Sequence, residues 1–427
     1  MHHITIPRAP LCALWLLERA GYPAYIVGGS LRDALMGNSP HDWDVTTAAK
    51  PEQMLALFGA AGFKTIPTGL AHGTVTLLVD GEPIECTTYR VDGTYTDARH
   101  PDRVTFTDRI ADDLGRRDFT VNAMACRLPD LAVQESMPSA ERTVALDALE
   151  LVDLFGGRED IAARVIRCVG DPATRFTEDA LRMLRAVRFA VQLDFDVDSA
   201  TEAALSQKSH TITRVSVERI ASELCRMLTG DRPSRGLALM MKTGLLEHVL
   251  PVSKNPYFTS ESACFEATDR LPKDAMLRLA LLLCGAGEDG ARETCRALKL
   301  STRQTDTVRA YVSSLDEKIP RSDADLRRRM ARYGEYAEGG LLLAKACGCL
   351  PNANALIDRC AQLRARGDCL TLGALAVNGR DLVETCGLRG EQIGAALHRL
   401  LDAVLERPED NERERLLSLA KQMKKGT

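Results

Sequence analysis

A pair of acidic residues is the first feature of the chain that could do chemistry. Asp42 and Asp44 stand two positions apart in a segment that continues as a predicted strand to Thr47. Alternate residues of a strand face the same side, so the two carboxylates repel each other unless a cation lies between them. Oxygen ligands of this kind suit Mg²⁺. The alternative is a solvent-exposed acidic strand end, which the neighbouring motifs make the weaker interpretation.

A third carboxylate occurs where an acidic side chain is unexpected. Glu85 lies in an otherwise apolar and β-branched run, Ile84–Thr88, and needs a partner there. If this strand lies beside the strand with Asp42 and Asp44, the three carboxylates could hold two Mg²⁺ for an in-line attack on a phosphate. An exposed glutamate on an edge strand is the alternative.

A glycine-rich turn precedes the acidic pair. Tyr25–Val27 predicts a strand that ends at Gly28 and Gly29, and Ser30–Leu35 predicts a helix. Amide groups at a helix N-terminus can bind a phosphate, and Arg32 adds a guanidinium for the same anion. The spacing is not GxGxxG, which argues against a dinucleotide site. A tight turn that needs only the backbone freedom of glycine is the alternative.

The segment Arg116–Ala123 combines two arginines with an acid and an amide. Arg116 and Arg117 suit a clamp for a triphosphate, and Asp118 or Asn122 could bind ribose hydroxyls. We expect an apolar helical pattern to follow the arginines. The alternative is a charged helix N-terminus.

A second arginine-rich segment, Glu178–Phe189, predicts one face of a helix. Asp179, Arg182, Arg185 and Arg188 are spaced by three, so neighbours in this series share a face. A solvated face with Asp–Arg pairing is the usual interpretation of such a run. The four upstream features favour a nucleotide instead.

The elements that would position these residues fall into two groups. From Ala24 to about Thr88, short strands alternate with turns and helices, and Asp80-Gly81-Glu82 predicts a hairpin. The polar stretch Asp92–Arg109 predicts a loop. From about Asp147 the strand signals fade and helical periodicity dominates. The sequence therefore predicts a small α/β head followed by a long all-helical part.

Composition narrows the function classes. The 427 residues are 45 % hydrophobic and 27 % charged, which excludes wholesale disorder. The net charge is -4, so a polyanionic partner must meet a local basic patch. Apolar runs are too short for a membrane span. Thirteen dispersed cysteines without a CxxC motif predict reduced thiols and a cytoplasmic protein.

In this order, the motifs resemble those of class II tRNA nucleotidyltransferases, the CCA-adding enzyme family that includes bacterial poly(A) polymerases. The strong similarity covers about residues 21–230, and Arg214–Leu224 adds a further motif to those above. The resemblance implies a head of polymerase-β nucleotidyltransferase type over residues 1–146. It also implies a helical neck (147–230) with a nucleobase-recognition helix, a helical body (231–340), and a helical tail (341–427) that binds tRNA.

The resemblance also implies roles for single residues. Asp42 and Asp44 match the ligands of Mg²⁺, and Glu85 matches the third carboxylate. The nucleotide-binding residues implied in this way are Gly28, Gly29, Arg32, Arg117, Asp118, Asn122, Asp179, Arg182, Arg185 and Arg188. Of these, Asp179 and Arg182 match the pair that reads the base, and Asp92–Arg109 matches a flexible loop of the family.

The expected activity is addition of C, C and A to tRNA 3′ ends from CTP and ATP without a nucleic-acid template. A poly(A) polymerase, an A-only or CC-only enzyme of the same fold, and a non-catalytic RNA-binding scaffold are the alternatives. Poly(A) polymerases tend to be strongly basic, whereas the pI here is about 6.1. The expected partner is the acceptor end and upper half of tRNA, with no membrane and no obligatory protein partner evident. Arg327-Arg328-Arg329 is a candidate RNA contact, and a solvated helix face is its alternative.

Overall fold

The computed structural model describes residues 3–40, 42–93, 104–250 and 260–425. Its strands are β1 (His3–Ile6), β2 (Ala24–Val27), β3 (Asp44–Thr47), β4 (Lys64–Gly69), β5 (Thr74–Val79), β6 (Glu82–Thr88), β7 (Arg90–Asp92), β8 (Val104–Phe106), β9 (Met124–Arg127), β10 (Arg142–Ala145), β11 (Glu150–Asp153), β12 (Val165–Ile166) and β13 (Asp196–Val197). Its helices, apart from short 3₁₀ turns, are α1 (Arg8–Arg19), α2 (Gly29–Leu35), α3 (Pro51–Ala60), α4 (Ile110–Gly115), α5 (Gly157–Ala163), α6 (Pro172–Glu178), α7 (Leu181–Leu193), α8 (Ser199–Lys208), α9 (Val217–Leu228), α10 (Pro233–Lys242), α11 (Leu246–Val249), α12 (Glu261–Asp269), α13 (Ala275–Leu283), α14 (Gly287–Ala297), α15 (Thr302–Ser313), α16 (Asp323–Tyr333), α17 (Ala337–Ala346), α18 (Ala353–Ala365), α19 (Gly379–Cys386), α20 (Glu391–Glu406) and α21 (Arg413–Lys425).

A mixed seven-stranded sheet organises the head. Its strand order is β11-β9-β2-β3-β6-β5-β4, in which β3 and β6 run parallel and the other neighbours are antiparallel. The register places Val27 opposite Asp44, and Asp44 opposite Glu85. The sheet therefore brings the glycine-rich turn after β2 next to the acidic residues of β3 and β6.

Helices α1 and α3 pack on the sheet and form its core. Leu11, Leu14 and Leu17 of α1 are fully buried against sheet residues such as Ile26 and Leu77. Burying each of these side chains stabilises the fold by about 1.5–3 kcal/mol. The apolar run near the start of the sequence is therefore the buried face of an amphipathic helix.

The region from Arg116 to Ala123 differs from its prediction. The helix ends at Gly115, and Arg116 follows it as the C-cap residue. A single 3₁₀ turn, Thr120–Asn122, then leads into β9. The predicted helical pattern is wrong because the apolar residues of β9 bond to strands on both sides, β2 and β11, and are buried in the sheet.

Strand signals also continue further along the chain than expected. β11 forms one edge of the main sheet at Glu150–Asp153, beyond residue 147 where the sequence predicted helices. The ends of the predicted loop Asp92–Arg109 form a two-stranded ribbon of β7 and β8. Residues 94–103 of that loop lie outside the described residues. The two turn residues before β6, Asp80 and Gly81, both have positive φ, as a tight hairpin requires.

The chain divides into two compact units. One comprises Met1–Met227 and Arg235–Leu250, and the other comprises Leu228–Ser234 and Pro251–Thr427. Helices build the described part of the second unit, where Leu341 and Leu400 lie at the centres of two apolar clusters. The prediction of an α/β head followed by a mostly helical remainder is confirmed. No helix within the described ranges is long and apolar enough to cross a membrane.

The expectation for Arg327-Arg328-Arg329 was wrong at two of the three positions. Arg327 and Arg329 are buried, and both donate to backbone carbonyls inside the second unit. Neither side chain is exposed to bind RNA or to form a solvated face. Arg328 is about half exposed, so its contact with RNA stays a prediction.

Candidate active site

A cavity of about 520 Å³ in the first unit contains most of the predicted site. Seven arginines and three aspartates contribute to its wall. Its lining residues are Gly28, Gly29, Arg32, Asp44, Arg116, Arg117, Asp118, Asn122, Asp179, Leu181, Arg182, Arg185, Arg188, Phe189 and Arg219. All ten residues predicted to bind nucleotide are in this set. The excess of guanidinium groups makes the cavity suited to a polyanion.

The glycine-rich turn forms one wall of this cavity. Gly28 has φ +80°, a conformation that L side chains rarely adopt. A Cβ atom there would lie 3.3 Å from Nη1 of Arg117 and 3.7 Å from Oδ2 of Asp44. Glycine is therefore required twice, for the turn and for the close approach of an arginine and a carboxylate. Gly29, which begins the short helix α2, and Arg32 of the same helix also line the cavity.

The acidic residues lie where the sheet register predicts. Asp44 and Glu85 are direct neighbours on the parallel strands β3 and β6, which confirms the predicted adjacency of these two strands. The pKa of Asp44 is raised, first because surrounding protein desolvates the carboxylate and then because Glu85 and Asp42 repel its charge. Arg117 opposes this shift. Asp42 and Glu85 do not line the arginine-rich cavity but a neighbouring one, which Asp44 shares.

The three carboxylates are of the donor type that a divalent cation prefers, and two of them, Asp44 and Glu85, are also paired in the sheet register. A cation would relieve the repulsion that raises the pKa of Asp44. Within the residues the structure describes, no three His, Cys, Asp or Glu side chains are already gathered closely enough to hold a metal ion. Asp42, Asp44 and Glu85 are therefore neighbouring carboxylates that a cation would have to draw together.

Asp113 fixes the two arginines at the end of α4. Its fully buried carboxylate accepts bonds from Nη2 of Arg116 at 2.8 Å and from Nη2 of Arg117 at 3.3 Å. Burial alone would raise the pKa of Asp113, but the two guanidinium groups outweigh it and hold the pKa below its usual range. The sequence analysis missed Asp113, although its spacing of three and four from two arginines on a short helix is the signal for such pairs.

Asp118 and Asn122 hold arginines at the cavity wall. Oδ2 of Asp118 accepts from Arg185 at 2.7 and 2.6 Å, and Oδ1 of Asn122 accepts from Nη1 of Arg32 at 2.7 Å. Burial opposes ionisation of Asp118, yet Arg185 lowers its pKa below the usual range. Both residues line the cavity, and the contacts that the structure gives them are to neighbouring protein groups. Their predicted bonds to ribose stay a prediction.

Phe189 is a second residue that the sequence analysis did not single out. The guanidinium carbons of Arg188, Arg185 and Arg32 lie 4.0, 5.3 and 5.4 Å from the centre of its ring. Glu223 holds Arg188 from the other side at 2.6 Å. Cation–π contacts and ion pairs therefore hold three arginines in one place without occupying all of their donors. The spacing of Arg182, Arg185 and Arg188 had predicted that these arginines share one helical face, but it did not reveal the role of Phe189.

The predicted single helix Glu178–Phe189 is broken at Asp179. This residue has extended φ and ψ of −139° and 104°, and its Oδ1 accepts a bond from the amide of Leu181 at 3.0 Å. The shared helical face thus includes Arg182, Arg185 and Arg188, and Asp179 precedes it. The expectation that Asp179 lies on that helix is wrong, because its carboxylate caps the start of α7 instead of continuing α6.

Asp179 and Arg182 still line the same cavity, where the amide of Arg182 donates to the carbonyl of Asp179 at 3.0 Å and each side chain bonds to other residues. Nη1 of Arg182 donates to Glu178 at 2.7 Å and its Nη2 donates to the carbonyl of Arg116 at 3.0 Å. Oδ2 of Asp179 accepts from Arg219 at 2.9 Å. Each carboxylate oxygen accepts more than one bond, so Asp179 keeps the capacity to accept from a ligand.

Two donors at the cavity have no protein acceptor. Nε of Arg117 and Nη1 of Arg219 are buried and have no hydrogen-bond partner within the described ranges. A buried donor without a partner is costly, by about 1–3 kcal/mol. A bound anion would supply the missing acceptors. The arginine excess of the cavity indicates an anionic ligand.

Comparison with known proteins identifies the family. Residues 24–167 match the family model of the Poly A polymerase head domain, and residues 194–255 match that of a probable RNA- and SrmB-binding site of polymerase A. Residues 272–420 match the model described as tRNA nucleotidyltransferase domain 2 putative. The CCA-adding enzyme of Levilactobacillus brevis is 36 % identical over 414 residues, covering 95 % of each chain. The chain belongs to the CCA-adding enzyme family. The CCA-adding enzyme of Geobacillus stearothermophilus is 35 % identical over 406 residues, 94 % of this chain and 93 % of the relative.

A solved structure of the family agrees with this fold. The Bacillus stearothermophilus CCA-adding enzyme in complex with CTP matches with a TM-score of 0.77 and 32 % identity, over 98 % of this chain and 97 % of the other. CCA-adding enzymes are nucleotidyltransferases, so the chain is a member of that enzyme class. Membership of the family also implies use of a divalent metal ion.

Proposed function

We propose that this protein adds C, C and A to the 3′ ends of tRNA from CTP and ATP without a nucleic-acid template. One observation carries the proposal. A single cavity contains the carboxylate of Asp179, the guanidinium of Arg182 and a group of further arginines, and Asp44 lies at its border. In one cavity, Asp179 and Arg182 can bind the base, the other arginines can bind the triphosphate, and Asp44 lies where a phosphate could react.

The base-reading pair accounts for the choice of nucleotide. CTP has an amino donor at N4 beside a ring acceptor at N3. ATP has an amino donor at N6 beside a ring acceptor at N1. Asp179 can accept from the amino group while Arg182 donates to the ring nitrogen. UTP and GTP present a carbonyl and a ring N–H at these positions, so both bonds fail. Buried groups without partners make this rejection strong.

The remaining residues serve the phosphates. Arg32, Arg117, Arg185 and Arg188 neutralise the triphosphate, and Gly28 leaves room for its close approach. The RNA 3′-hydroxyl attacks the α-phosphate, and the same arginines stabilise the leaving pyrophosphate. We propose Asp42 and Asp44, with Glu85 beside them, as the residues that hold Mg²⁺. When bound, that ion lowers the pKa of the attacking hydroxyl and neutralises charge on the reacting phosphate.

Further expectations belong to the same proposal. The division into head (1–146), neck (147–230), body (231–340) and tRNA-binding tail (341–427) is proposed from the resemblance. All thirteen cysteines are thiols and not disulfides, which supports a cytoplasmic location. The loop Asp92–Arg109 is proposed to adapt the site between C and A addition.

Product analysis on a tRNA that lacks its 3′ CCA tests the proposal. The protein is supplied with Mg²⁺ and CTP alone, ATP alone, or both, and products are resolved to one nucleotide. We expect two additions with CTP, and a stop after one A when both nucleotides are present.

Other products would support a different enzyme. A lengthening ladder of A on any RNA would indicate a poly(A) polymerase. Addition of A only to a tRNA that already ends in CC would indicate an A-only enzyme, and a stop after two C with both nucleotides present would indicate a CC-only enzyme. Binding of tRNA without any addition would contradict the proposed catalysis altogether.

A further inference from the structure

One aromatic ring lies among the arginines of the cavity. Phe189, on α7, is 7 % exposed and lines the cavity. The guanidinium carbons of Arg32, Arg185 and Arg188 all lie within 5.4 Å of the centre of its ring. Arg185 and Arg188 come from the same helix as Phe189, whereas Arg32 comes from α2. Three of the four arginines proposed above to neutralise the triphosphate therefore meet at this ring.

Three like charges at this range repel one another when no anion is bound. The pKa of Arg188 is lowered, first because burial desolvates its guanidinium, and the charge of Arg185 adds to this shift while Glu223 opposes it. Glu223, Asp118 and Asp33 each form an ion pair with one of the three arginines. These carboxylates offset part of the positive charge. The ring of Phe189 differs from them because all three arginines share it.

We propose that Phe189 is a positioning residue that holds Arg32, Arg185 and Arg188 in place for the triphosphate before the nucleotide binds. This inference rests on the function proposed above. The face of an aromatic ring carries negative charge density and attracts cations. The ring does not occupy N–H groups as a carboxylate does, so these donors stay available for phosphate oxygens. A further carboxylate at this position would also repel the phosphates.

The surroundings of the ring suit this role. Phe119 is fully buried in the segment Arg116–Ala123 and packs edge-on against Phe189, with ring centres 5.8 Å apart and an angle of 80° between the rings. Asn122 of the same segment accepts a bond from Arg32 at 2.7 Å. The ring thus lies where α2, α7 and this segment meet. A ligand that enters a set of donors already in place loses less binding free energy to ordering them.

Changing the charge distribution of the ring tests the inference. Replacing Phe189 with 3,4,5-trifluorophenylalanine keeps the ring, but the fluorine atoms withdraw negative charge from its face. We expect the KM for CTP, the KM for ATP and the inhibition constant of inorganic tripolyphosphate to rise together by about fivefold. The preference for CTP over UTP should change by less than about twofold, because Asp179 and Arg182 are proposed to read the base. Phe189→Tyr keeps the negative ring face and should leave all three constants within about twofold of the unmodified protein.

The same replacement at Phe119 is the matched control. Phe119 is the other ring of the aromatic pair, and no guanidinium lies over it in the part of the chain that the structure describes. We expect its three constants to change by less than about twofold. Equal rises from the two replacements would overturn the inference, because ring packing alone would then explain them. Unequal rises for CTP and ATP would also overturn it, because Phe189 would then contact the base.

Binding of tripolyphosphate separates the inference from the proposed function. Titration calorimetry with tripolyphosphate alone needs no RNA and no turnover. If the unmodified protein adds no nucleotide, the proposed function fails, and weaker tripolyphosphate binding by the trifluoro variant still supports positioning by the ring. If the unmodified protein adds C, C and A but the trifluoro variant binds tripolyphosphate as tightly as the unmodified protein, only the inference is overturned.

Discussion

Arginines serve opposite purposes in the two units of this protein. In the first unit, Arg185 and Arg188 pair with the carboxylates of Asp118 and Glu223, and both line a cavity. In the second unit, Arg278 is fully buried and donates to the carbonyls of Leu228, Gly230 and Leu271 at 2.6, 2.6 and 2.8 Å. The residue type is the same, but one set lines a cavity and the other completes the fold.

The acceptors explain the difference. Arg327 donates to the carbonyl of Leu405 at 2.6 Å and to that of Glu406 at 3.1 Å, and it also contacts Asp368. Such contacts satisfy backbone oxygens that would otherwise be buried without partners. An arginine held by one carboxylate at a cavity keeps other donors for a ligand. A run of arginines in a sequence therefore does not reveal function until its acceptors are known.

Asp44→Asn is expected to have the largest effect, because it removes a charge at the border of the cavity in the first unit. We predict a fall in kcat of about 10³-fold or more, since several kcal/mol of transition-state stabilisation depend on the cation it is proposed to hold. Thermal unfolding should change little, because removing the charge of Asp44 also relieves its repulsion by Glu85 and Asp42. Nucleotide incorporation into tRNA measures the rate. If the variant keeps its turnover, Asp44 does not take part in catalysis.

Arg327→Met is expected to destabilise the second unit without affecting turnover. It keeps the apolar stem but leaves the carbonyls of Leu405 and Glu406 without this donor, and Asp368 keeps only its bonds from Arg366. Unfolding should therefore become easier by about 3 kcal/mol. Denaturant unfolding measures this change. Arg328→Met is the matched control. Arg328 is the next residue, its side chain is about half exposed, and its ion pairs contribute about 0–1 kcal/mol. Equal losses of stability in the two variants would contradict the conclusion that Arg327, and not Arg328, stabilises the fold of the second unit.

Asp113→Asn is expected to give a smaller, pH-dependent loss of stability. The pKa of Asp113 is lowered in the fold, so its ionised form stabilises the protein above the ordinary aspartate pKa of about 3.9. That stabilisation disappears as the pH falls through the lower folded-state pKa. We predict a difference of about 2 kcal/mol from the unmodified protein at pH 7, shrinking towards zero as the pH falls through the lowered folded-state pKa of Asp113. A difference that does not vary with pH would contradict the proposed ion pairs.

Local patterns predicted the head well. β2, the turn at Gly28 and α2 follow from an apolar run, two glycines and a helix-forming segment. Asp44 and Glu85 are adjacent because β3 and β6, whose paired residues are 41 positions apart in the sequence, run parallel to each other. From the sequence, this pairing was only a condition for the predicted cluster of three carboxylates. The structure provides the register that confirms it.

Other features depended on contacts that the sequence does not record. The strand β9 has no strong alternation, and its place between β2 and β11 decides its conformation. The spacing of residues 178–189 allows one continuous helix. The helix is broken because the carboxylate of Asp179 accepts a bond from the amide of Leu181, and such local bonds compete with helical ones. Arg327 and Arg329 were misread because their acceptors are backbone carbonyls, and those of Arg327 lie 78 and 79 residues away.

The discrimination between CTP and UTP by Arg182→Ala tests the account most directly. Both nucleotides are offered to the unmodified protein and to the variant on a tRNA lacking its CCA end, and kcat/KM is measured for each. We predict that the variant loses at least tenfold of the preference for CTP, because the donor to N3 is gone. An unchanged preference, with kcat/KM lowered equally for both nucleotides, would contradict base reading in the arginine-rich cavity.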